Sequence, residues 1–495
     1  MSPETYDAIV IGSGAGGAAG AYRLTLGGLN VALVEKGGHL PTDGSTLDIK
    51  RVVHEGAFLS RERWQDGHGR TVVPEEHFNV GGKTKWYGAA LLRFAEHEFL
   101  PDPGHRCPGW PLKLRDLMPY YEEAERLLGV RTFQCEPDLS RILGRLESAD
   151  ASWVAEPIPL ALSSDITSNR AEAAHFDGFA SVANLKGEAE GSILSRLKPY
   201  PNFSLRVDAE VRSLLASPDS PATVSGVRLA NGGELRAPRV FLAAGALHSP
   251  RLLARYLATT GLESTLPAAA NVGRHLKLHH LTAMVSLSTH SMTDLIRKTA
   301  VITNERFPHS SVQPLGFDSE LIATLVPGFV PEIIRRRAGR HAYGFFLQTE
   351  DGSDPRNRVQ EDEYPGAPPR LDYEESRLPE AASEHKAFTR SFQRVLRKAG
   401  LLSFTRRIGL NGTAHACGSM ICGHNARDSV VDSCGRVHGM QGLYVIDGSV
   451  LPRSSRVNPS LSIYAWALRV GDLVAQEFRR ETSHGGIAKS EVTHV

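Results

Sequence analysis

The sequence predicts an α/β fold, with a doubly wound parallel sheet assembled from distant parts of the chain and a second domain built on an antiparallel sheet plus helices. Three observations support this prediction. An apolar run at residues 8–11 leads into a glycine-rich turn, similar runs recur near residues 240 and 443, and residues 276–435 hold both strand-like and helix-like patterns. The chain of 495 residues is too long for one simple core, so two domains or one large two-lobed body are expected.

The glycine-rich turn has the spacing of a dinucleotide-binding motif. Gly12 permits the tight turn, Gly14 lets the backbone approach a pyrophosphate, and Gly17 allows close packing of helix against strand. Residues 18–26 are predicted to form a helix whose N-terminus attracts phosphates. A second strand then ends at Glu35, 18 residues after Gly17, where its carboxylate can accept hydrogen bonds from ribose hydroxyls. The order of these parts predicts a Rossmann-like domain that binds a dinucleotide.

The distribution of the remaining strands favours FAD over a nicotinamide cofactor. A second glycine-rich stretch occupies residues 79–94, another strand pattern lies at residues 239–253, and a third ends at Asp447. Nicotinamide enzymes usually keep their nucleotide-binding fold in one contiguous block. Pieces spread along the whole chain instead suit a large cofactor held by a discontinuous domain.

Composition and charge argue against several classes of function. Lys plus Arg number 56 and Asp plus Glu 55, a balance that gives no support for a nucleic-acid or anionic-membrane partner. No apolar run reaches the roughly 18 residues that a membrane span needs, and the first residues lack the features of an export signal. The five cysteines form an odd, sparse set, typical of a reducing compartment. A cytoplasmic protein is therefore predicted, and its oligomeric state stays open.

Five separated stretches together resemble the glucose–methanol–choline (GMC) family of FAD-dependent alcohol oxidoreductases. They are the opening motif, "VGGKTKWYGAALLRF", "GALHSPRLL", "PRNRV" and the block at residues 415–472. Residues 108–130 are also similar to the sugar-oxidising branch, which includes pyranose oxidases and sugar dehydrogenases. The resemblance implies oxidation of an alcohol group of a sugar or glycoside to a carbonyl, by hydride transfer to flavin N5.

Alternatives to that substrate and reaction remain open. The short stretch "KTKWYG" looks more like the oxidoreductases of aminoglycoside biosynthesis. An aminoglycoside or a non-sugar alcohol is therefore an alternative substrate. A few GMC members are lyases that bind FAD without net oxidation, which leaves a non-redox function as a further possibility.

The resemblance also implies roles for individual residues. His415 lies in the pattern H-x-x-G-S, where the family places a catalytic histidine, and Asn458 follows 43 residues later at the second catalytic position. A neutral imidazole can accept the hydroxyl proton, and an amide can donate a hydrogen bond to the developing alkoxide. The implied cofactor-binding residues, besides Gly12, Gly14, Gly17 and Glu35, are Gly82, Thr84, Tyr87, Gly88, Val211, Asp447, Gly448 and Pro459. Trp86 stands where some members link FAD to a histidine, so non-covalent FAD is expected.

The segment "HACGSMICGH" leaves a competing interpretation open. His415, Cys417, Cys422 and His424 are residue types that bind zinc, and Cys417 and Cys422 could form a redox pair. Their spacing is not a common zinc pattern. The simpler interpretation is that the cysteines are small buried residues near a cofactor. No metal is therefore predicted.

The predicted organisation divides the chain into two lobes and two additional segments. Residues 5–130, 200–275 and 436–480 are assigned to the FAD-binding domain, and residues 276–435 to the substrate domain. Residues 138–191 are predicted as a lid or interface arm, and residues 481–495 as a flexible tail.

Overall fold

The computed structural model describes residues 4–324, 330–361 and 367–490, with side chains described as far as residue 483. Its nine helices within these ranges are Ala15–Leu26, Leu114–Leu128, Pro137–Ala149, Arg170–His175, Gly245–Thr260, Ser319–Thr324, Glu332–Arg340, Pro379–Lys398 and Ser460–Ser490. None of them combines the length and the apolar character that crossing a membrane requires.

A five-stranded parallel sheet brings together distant parts of the chain. In spatial order its strands are Leu443–Val445, Val240–Leu242, Ala8–Ile11, Val31–Val34 and Phe203–Arg206. The three central strands are completely or almost completely buried and rich in β-branched residues, as expected for a sheet covered on both faces. The predicted discontinuous α/β domain is confirmed.

Backbone contacts of the glycine-rich turn explain why its residues are glycines. Gly12 has a φ of +98°, and a Cβ there would lie 2.4 Å from the carbonyl oxygen of Ala243 on the neighbouring strand. A Cβ on Gly17 would lie 1.8 Å from the Gly12 oxygen, whereas a Cβ on Gly14 would meet no atom within 4 Å. The helix begins at Ala15, earlier than predicted, because the turn leads directly into it.

The C-terminal helix covers one face of this domain. Ser460–Ser490 packs against Ala15–Leu26 and Leu114–Leu128. Trp466, which is completely buried, donates its indole N–H to the carbonyl oxygen of Val445 at the end of an outer strand of the sheet. The helix continues to Ser490, so residues 481–490 of the predicted tail are helical, and residues 491–495 lie outside the described residues.

A six-stranded antiparallel sheet forms the second domain, as predicted. In spatial order its strands are Leu402–Arg407, His280–Leu287, Ala342–Thr349, Ser310–Pro314, Ala300–Asn304 and Trp153–Pro157. The helix Pro379–Lys398 packs against it, where Phe388 and Phe392 join Phe345 and Trp153 in a buried aromatic cluster.

Of residues 138–191, predicted as a lid or interface arm, the part up to residue 157 instead contributes to this second domain. Apolar residues from Ile158 to Ala189 pack in the core that surrounds the parallel sheet. Trp153–Pro157 pairs with Ala300–Asn304 at the edge of the sheet. The preceding helix, Pro137–Ala149, buries Leu139, Ile142 and Leu146 in the same core as Phe388. The apolar spacing of these three residues is helical, and their burial ties the segment to the sheet.

Two smaller four-stranded sheets complete the described part of the fold. One contains Glu4–Thr5, Glu234–Arg236, Ser220–Leu229 and Val211–Ser217, and the other contains Arg358–Gln360, Arg370–Asp372, Trp64–Asp66 and Thr71–Val72.

Alanine substitutions in the glycine motif should separate folding from cofactor binding. Gly17→Ala places a methyl group against backbone, and we expect it to lower the stability of the apoprotein by about 1–3 kcal/mol. Gly14→Ala meets open space at a φ of −66°, so its stability should stay within about 1 kcal/mol while its affinity for FAD falls. Thermal unfolding of the apoproteins and titration with FAD measure the two effects. Equal losses of stability in both variants would contradict the assignment.

Candidate active site

One cavity of about 530 Å³ is lined by residues of both large sheets and their connections. Gly12, Glu35, Ala243 and Asp447 line it, and each lies at or just beyond the carboxyl end of a strand of the parallel sheet. Ligands of open α/β sheets bind in this position. Phe346, from the antiparallel sheet, also lines the cavity.

The structure places almost all of the predicted site residues on this cavity. Those that line it are His415, Asn458, Gly12, Gly14, Glu35, Gly82, Thr84, Tyr87, Gly88, Val211, Asp447, Gly448 and Pro459. Gly17 is not among the lining residues; it packs behind the turn against Gly12.

Hydrogen bonds from the backbone hold the carboxylate of Glu35. Its Oε2 accepts from the N–H of Ser13 at 3.0 Å and from the Ser13 hydroxyl at 2.7 Å, and its Oε1 accepts from the N–H of Gly37 at 2.9 Å. Burial raises the pKa of Glu35, while these hydrogen bonds oppose that effect. Oε1 keeps a free acceptor position, which suits a ribose hydroxyl.

The second glycine stretch lies against the first. A Cβ on Gly82 would sit 3.3 Å from the Cα of Gly14, and Gly81 donates its N–H to the Ser13 hydroxyl at 3.0 Å. The hydroxyls of Thr84 and Tyr87 donate to carbonyl oxygens of Gly81 and Gly187, so both side chains support the cavity wall.

Asp447 links the outer strand Leu443–Val445 to its neighbour Val240–Leu242 at their carboxyl ends. Its Oδ2 accepts from the N–H of Gly245 at 2.8 Å and from the Ser249 hydroxyl, and its Oδ1 accepts from the N–H and the hydroxyl of Ser449. Burial raises the pKa of Asp447, and these hydrogen bonds counteract it. The carboxylate therefore holds the loop on which Gly448 lines the cavity.

His415 and Asn458 come together although they lie on different parts of the chain. The Nδ2 atom of Asn458 is 3.3 Å from the Nε2 atom of His415, and the Oδ1 atom of Asn458 accepts a hydrogen bond from Gln313 at 2.5 Å. His415 is followed by Cys417, which pairs with Lys277, while Asn458 directly precedes the C-terminal helix. Among the described residues, the Nδ1 atom of His415 is buried without a hydrogen-bond partner.

Burial lowers the pKa of His415 well below its usual value of 6.5, and the nearby His279 and the ammonium groups of Lys298 and Lys83 act in the same direction. The accessible surface of the imidazole faces the cavity. At neutral pH the ring is therefore uncharged and can accept a proton.

The possible metal ligands of residues 415–424 do not converge. Within the described parts of the chain, the groups close enough to share an ion are His105, His309 and Glu384, and Cys107, His309 and Glu350. In the second group, the guanidinium of Arg453 already binds both carboxylate oxygens of Glu350, at 2.8 and 2.6 Å. That buried cation opposes a metal ion at the same carboxylate.

The arrangement fits the FAD predicted from the sequence. The space in front of Gly14 is open, Glu35 retains an acceptor position, and the N-terminus of Ala15–Leu26 lies at the same place. At the position of covalent attachment in some family members, the Trp86 indole N–H donates to Asn79 at 3.0 Å and its ring stacks on His77. An indole offers no nitrogen lone pair for the covalent linkage.

Several cavity residues carry no signal in the sequence. Lys298 and Asp177 form a buried ion pair at 2.9 Å, and a Cβ on Gly88 would lie within 2.4 Å of the charged atoms of both. The ring of His279, which does not line the cavity itself, packs edge-on against His415 at a centroid distance of 5.1 Å. No motif or spacing distinguishes these residues from structural ones, because only the tertiary fold brings them to the cavity or next to its lining.

Comparisons with known proteins agree with this site. A GMC oxidoreductase family model matches residues 356–467, and an FAD-binding domain model matches residues 7–45. The chain is 30% identical to 6'''-hydroxyparomomycin C oxidase from Streptomyces lividus, over 95% of this chain and 92% of the relative. It is 29% identical to paromamine 6'-oxidase from Streptomyces fradiae, over 97% and 93%.

Among solved structures, formate oxidase from Aspergillus oryzae shares the fold, with a TM-score of 0.68 and 14% identity over 97% of this chain and 100% of that chain. The sequence relatives extend over almost the whole chain, and the family models match both its opening motif and its C-terminal block. The chain therefore belongs to the GMC oxidoreductase family and is an FAD-dependent oxidoreductase that acts on CH–OH groups.

Proposed function

We propose that the protein oxidises a hydroxyl group of an aminoglycoside to a carbonyl, with His415 as the base and Asn458 as the hydrogen-bond donor to the substrate oxygen. The observation that carries the proposal is the meeting of His415 and Asn458 in the cavity that also holds Gly14 and Glu35. A proton acceptor and a dinucleotide site thus share one enclosed space.

The two side chains have complementary tasks. Bound FAD supplies the hydride acceptor, the flavin N5 atom. The Nε2 atom of His415 takes the hydroxyl proton, which the lowered pKa of the imidazole permits because the ring is neutral. The amide of Asn458 donates a hydrogen bond to the oxygen as negative charge develops, and it cannot compete for the proton.

The choice of an aminoglycoside rests on the relatives and on the charges of the cavity. The two relatives described above are oxidases named for paromamine and for a paromomycin, which are aminoglycosides. The carboxylates of Glu76 and Asp177 are paired with Lys83 and Lys298, whereas no described Lys or Arg side chain forms an ion pair with Glu75.

Glu75 is suited to bind a substrate ammonium group. Its side chain lies on the cavity wall, and its backbone is held against the loop of His415, because its oxygen accepts from the Thr413 hydroxyl and its N–H donates to Asn411. Desolvation by the surrounding cavity walls raises the pKa of Glu75 although its side chain is accessible, and Lys83 lowers it in part. An approaching cation would lower it further.

We also propose that the enzyme works in the cytoplasm, because its five cysteines are unpaired in the structure, as expected in a reducing compartment. Fractionation of the native host tests this. Recovery of the protein outside the cytoplasm would contradict the proposal.

Anaerobic flavin bleaching tests the proposed reaction and substrate together. We expect paromamine to reduce the flavin, and methyl glucoside, a neutral glycoside, to reduce it much more slowly. Dithionite serves as the control for a reducible flavin. Bleaching by the neutral glycoside alone would overturn the substrate class. A flavin that dithionite bleaches but no alcohol in a broad panel reduces would overturn the oxidation itself and favour a lyase.

Removal of the two side chains should affect flavin reduction unequally. His415→Ala should slow it by about 10²–10⁴-fold, the usual contribution of a positioned base. Asn458→Ala should slow flavin reduction by about 10–10³-fold, because one hydrogen-bond donor to the substrate oxygen is lost. The double variant should be less impaired than the product of the single effects, because both act on one oxygen. Anaerobic stopped-flow with retained FAD measures these rates, and an unimpaired His415→Ala variant would defeat the mechanism.

The pH dependence should reflect the lowered pKa of His415. A base whose folded-state pKa is depressed stays unprotonated at lower pH, so flavin reduction should fall only at pH values well below 6.5. Lys298→Met removes a repelling cation and should shift this acidic limb upward. Stopped-flow reduction across pH in both proteins is the measurement. An acidic limb at or above pH 6.5 in the wild type would contradict the burial effect.

Neutralising Glu75 should affect cationic substrates selectively. Glu75→Gln should raise KM for the aminoglycoside by about fivefold, because one accessible ion pair contributes about 1 kcal/mol. The kcat and the KM for a neutral glycoside should stay unchanged. Glu234→Gln, on one of the small four-stranded sheets away from the cavity, is the control. Equal changes of KM for both substrates would argue against charge recognition by Glu75.

A further inference from the structure

A buried glutamine of the antiparallel sheet holds the amide of Asn458. Gln313 lies on the strand Ser310–Pro314, opposite Phe346 in the register, and is completely buried. Its Nε2 atom donates a hydrogen bond of 2.5 Å to the Oδ1 atom of Asn458. The orientation of the Asn458 amide therefore follows that of the Gln313 amide on the second domain.

This orientation has a consequence for His415. With its oxygen bound by Gln313, Asn458 presents its NH₂ group to the imidazole, and the Nδ2 atom lies 3.3 Å from Nε2. An NH₂ group can only donate, so Nε2 of the neutral ring must accept and the ring proton must lie on Nδ1. Reversal of the Asn458 amide would turn its oxygen towards Nε2, which would then carry the proton.

We propose that Gln313 is a positioning residue, which sets the tautomer of His415 through Asn458 and so keeps the ring proton off Nε2, the atom that takes the substrate proton. The inference rests on the proposed function, in which Nε2 of His415 is the base. Neither family resemblance nor sequence motif points to Gln313; its contact with Asn458 does.

The surrounding contacts separate this role from a general structural one. The Ser311 hydroxyl and the Gln348 Nε2 atom both donate to the carbonyl oxygen of Arg456, at 2.6 and 2.8 Å. Ser311 and Gln348 are register partners and are completely buried. They hold the backbone of the segment that carries Asn458, whereas the amide of Gln313 donates to the Asn458 side chain.

Three variants of the FAD-loaded enzyme distinguish the roles. Gln313→Met removes the partner of Asn458 and should slow flavin reduction by about 10²-fold at all pH values, with KM little changed. Gln313→Glu adds a carboxyl that can donate to Asn458 only while protonated. Its rate should therefore fall as pH rises through the pKa of that carboxyl, an alkaline loss that the wild type does not share. Gln348→Met, the matched control, loses a backbone contact and should lower Tm without changing the shape of the pH profile.

The tautomer itself can be observed with ¹⁵N-labelled histidine, using His415→Ala to identify the signal of His415. We expect a protonated Nδ1 in the wild type and a protonated Nε2 in Gln313→Glu at alkaline pH. A wild-type ring protonated on Nε2, or a Gln313→Glu variant with an unchanged tautomer and pH profile, would overturn the inference. If Gln313→Glu fails to fold, the wild-type tautomer and the rate of flavin reduction in Gln313→Met still test the inference.

The two proposals can fail separately. Flavin reduction at the wild-type rate in His415→Ala would remove the base but leave the tautomer measurement valid. If His415 is the base but its resting ring carries the proton on Nε2, only the proposed role of Gln313 is contradicted.

Discussion

The buried ion pair between Arg453 and Glu350 is the interaction on which the geometry of the active site depends. Both side chains are about 1% exposed, and the guanidinium binds the carboxylate through two hydrogen bonds. Glu350 follows a strand of the antiparallel sheet, while Arg453 belongs to the chain that leads to the C-terminal helix. Burial opposes ionisation of Glu350, but Arg453 and the neighbouring His309 hold the pKa of Glu350 far below its usual range. Loss of one partner from such a pair costs about 3–5 kcal/mol, because the other charge stays buried.

The ion pair anchors residues 453–458 between the two domains. Beyond it, the Ser455 hydroxyl and the N–H of Arg456 donate to Glu98, and Ser311 and Gln348 bind the Arg456 oxygen. Three of these contacts fix the backbone of Arg456, so little freedom remains when the chain reaches Asn458. The remaining variable is the orientation of the Asn458 amide, on which the availability of the His415 lone pair depends.

The cofactor region follows a different physical rule. There, the close approach of backbone to backbone decides the geometry, as the contacts of Gly12 and Gly17 show. Gly14 is the exception. A side chain there would not meet other protein atoms but would extend into the cavity. The same motif thus contains residues required by the fold and a residue required by the ligand.

Charge is distributed unevenly along the cavity. Lys83 and Lys298 pair with carboxylates and also act on His415, lowering the pKa of its imidazole together with burial. The imidazole of His415 is neutral, and Lys83 and Lys298 are each paired with a carboxylate. Glu75 is a cavity carboxylate that forms no ion pair with the described Lys and Arg side chains. This balance joins the mechanism to the proposed preference for a cationic substrate.

The amino-acid sequence alone determined the fold class, the cofactor and the family. These depend on local features: apolar β-branched runs form buried strands, and glycines at Gly12, Gly14 and Gly17 permit a turn that other residues cannot adopt or pack. His415 and Asn458 were recognisable because the resemblance covers short motifs around them. The helical spacing of Leu139, Ile142 and Leu146 was also present, but without its packing partners it did not reveal that residues 138–157 join the antiparallel sheet.

Only the tertiary structure decided which residues surround those motifs. Gln313, Lys298, Asp177 and Glu75 have ordinary sequence neighbours, and their functional positions arise from strand register and from contacts between segments far apart in the chain. Gln313 lies 145 residues from Asn458, and no local periodicity encodes such a contact. Side-chain hydrogen bonds across a domain boundary depend on the packing of both domains, which is why the sequence singled out His415 and Asn458 but not Gln313, the residue that contacts Asn458.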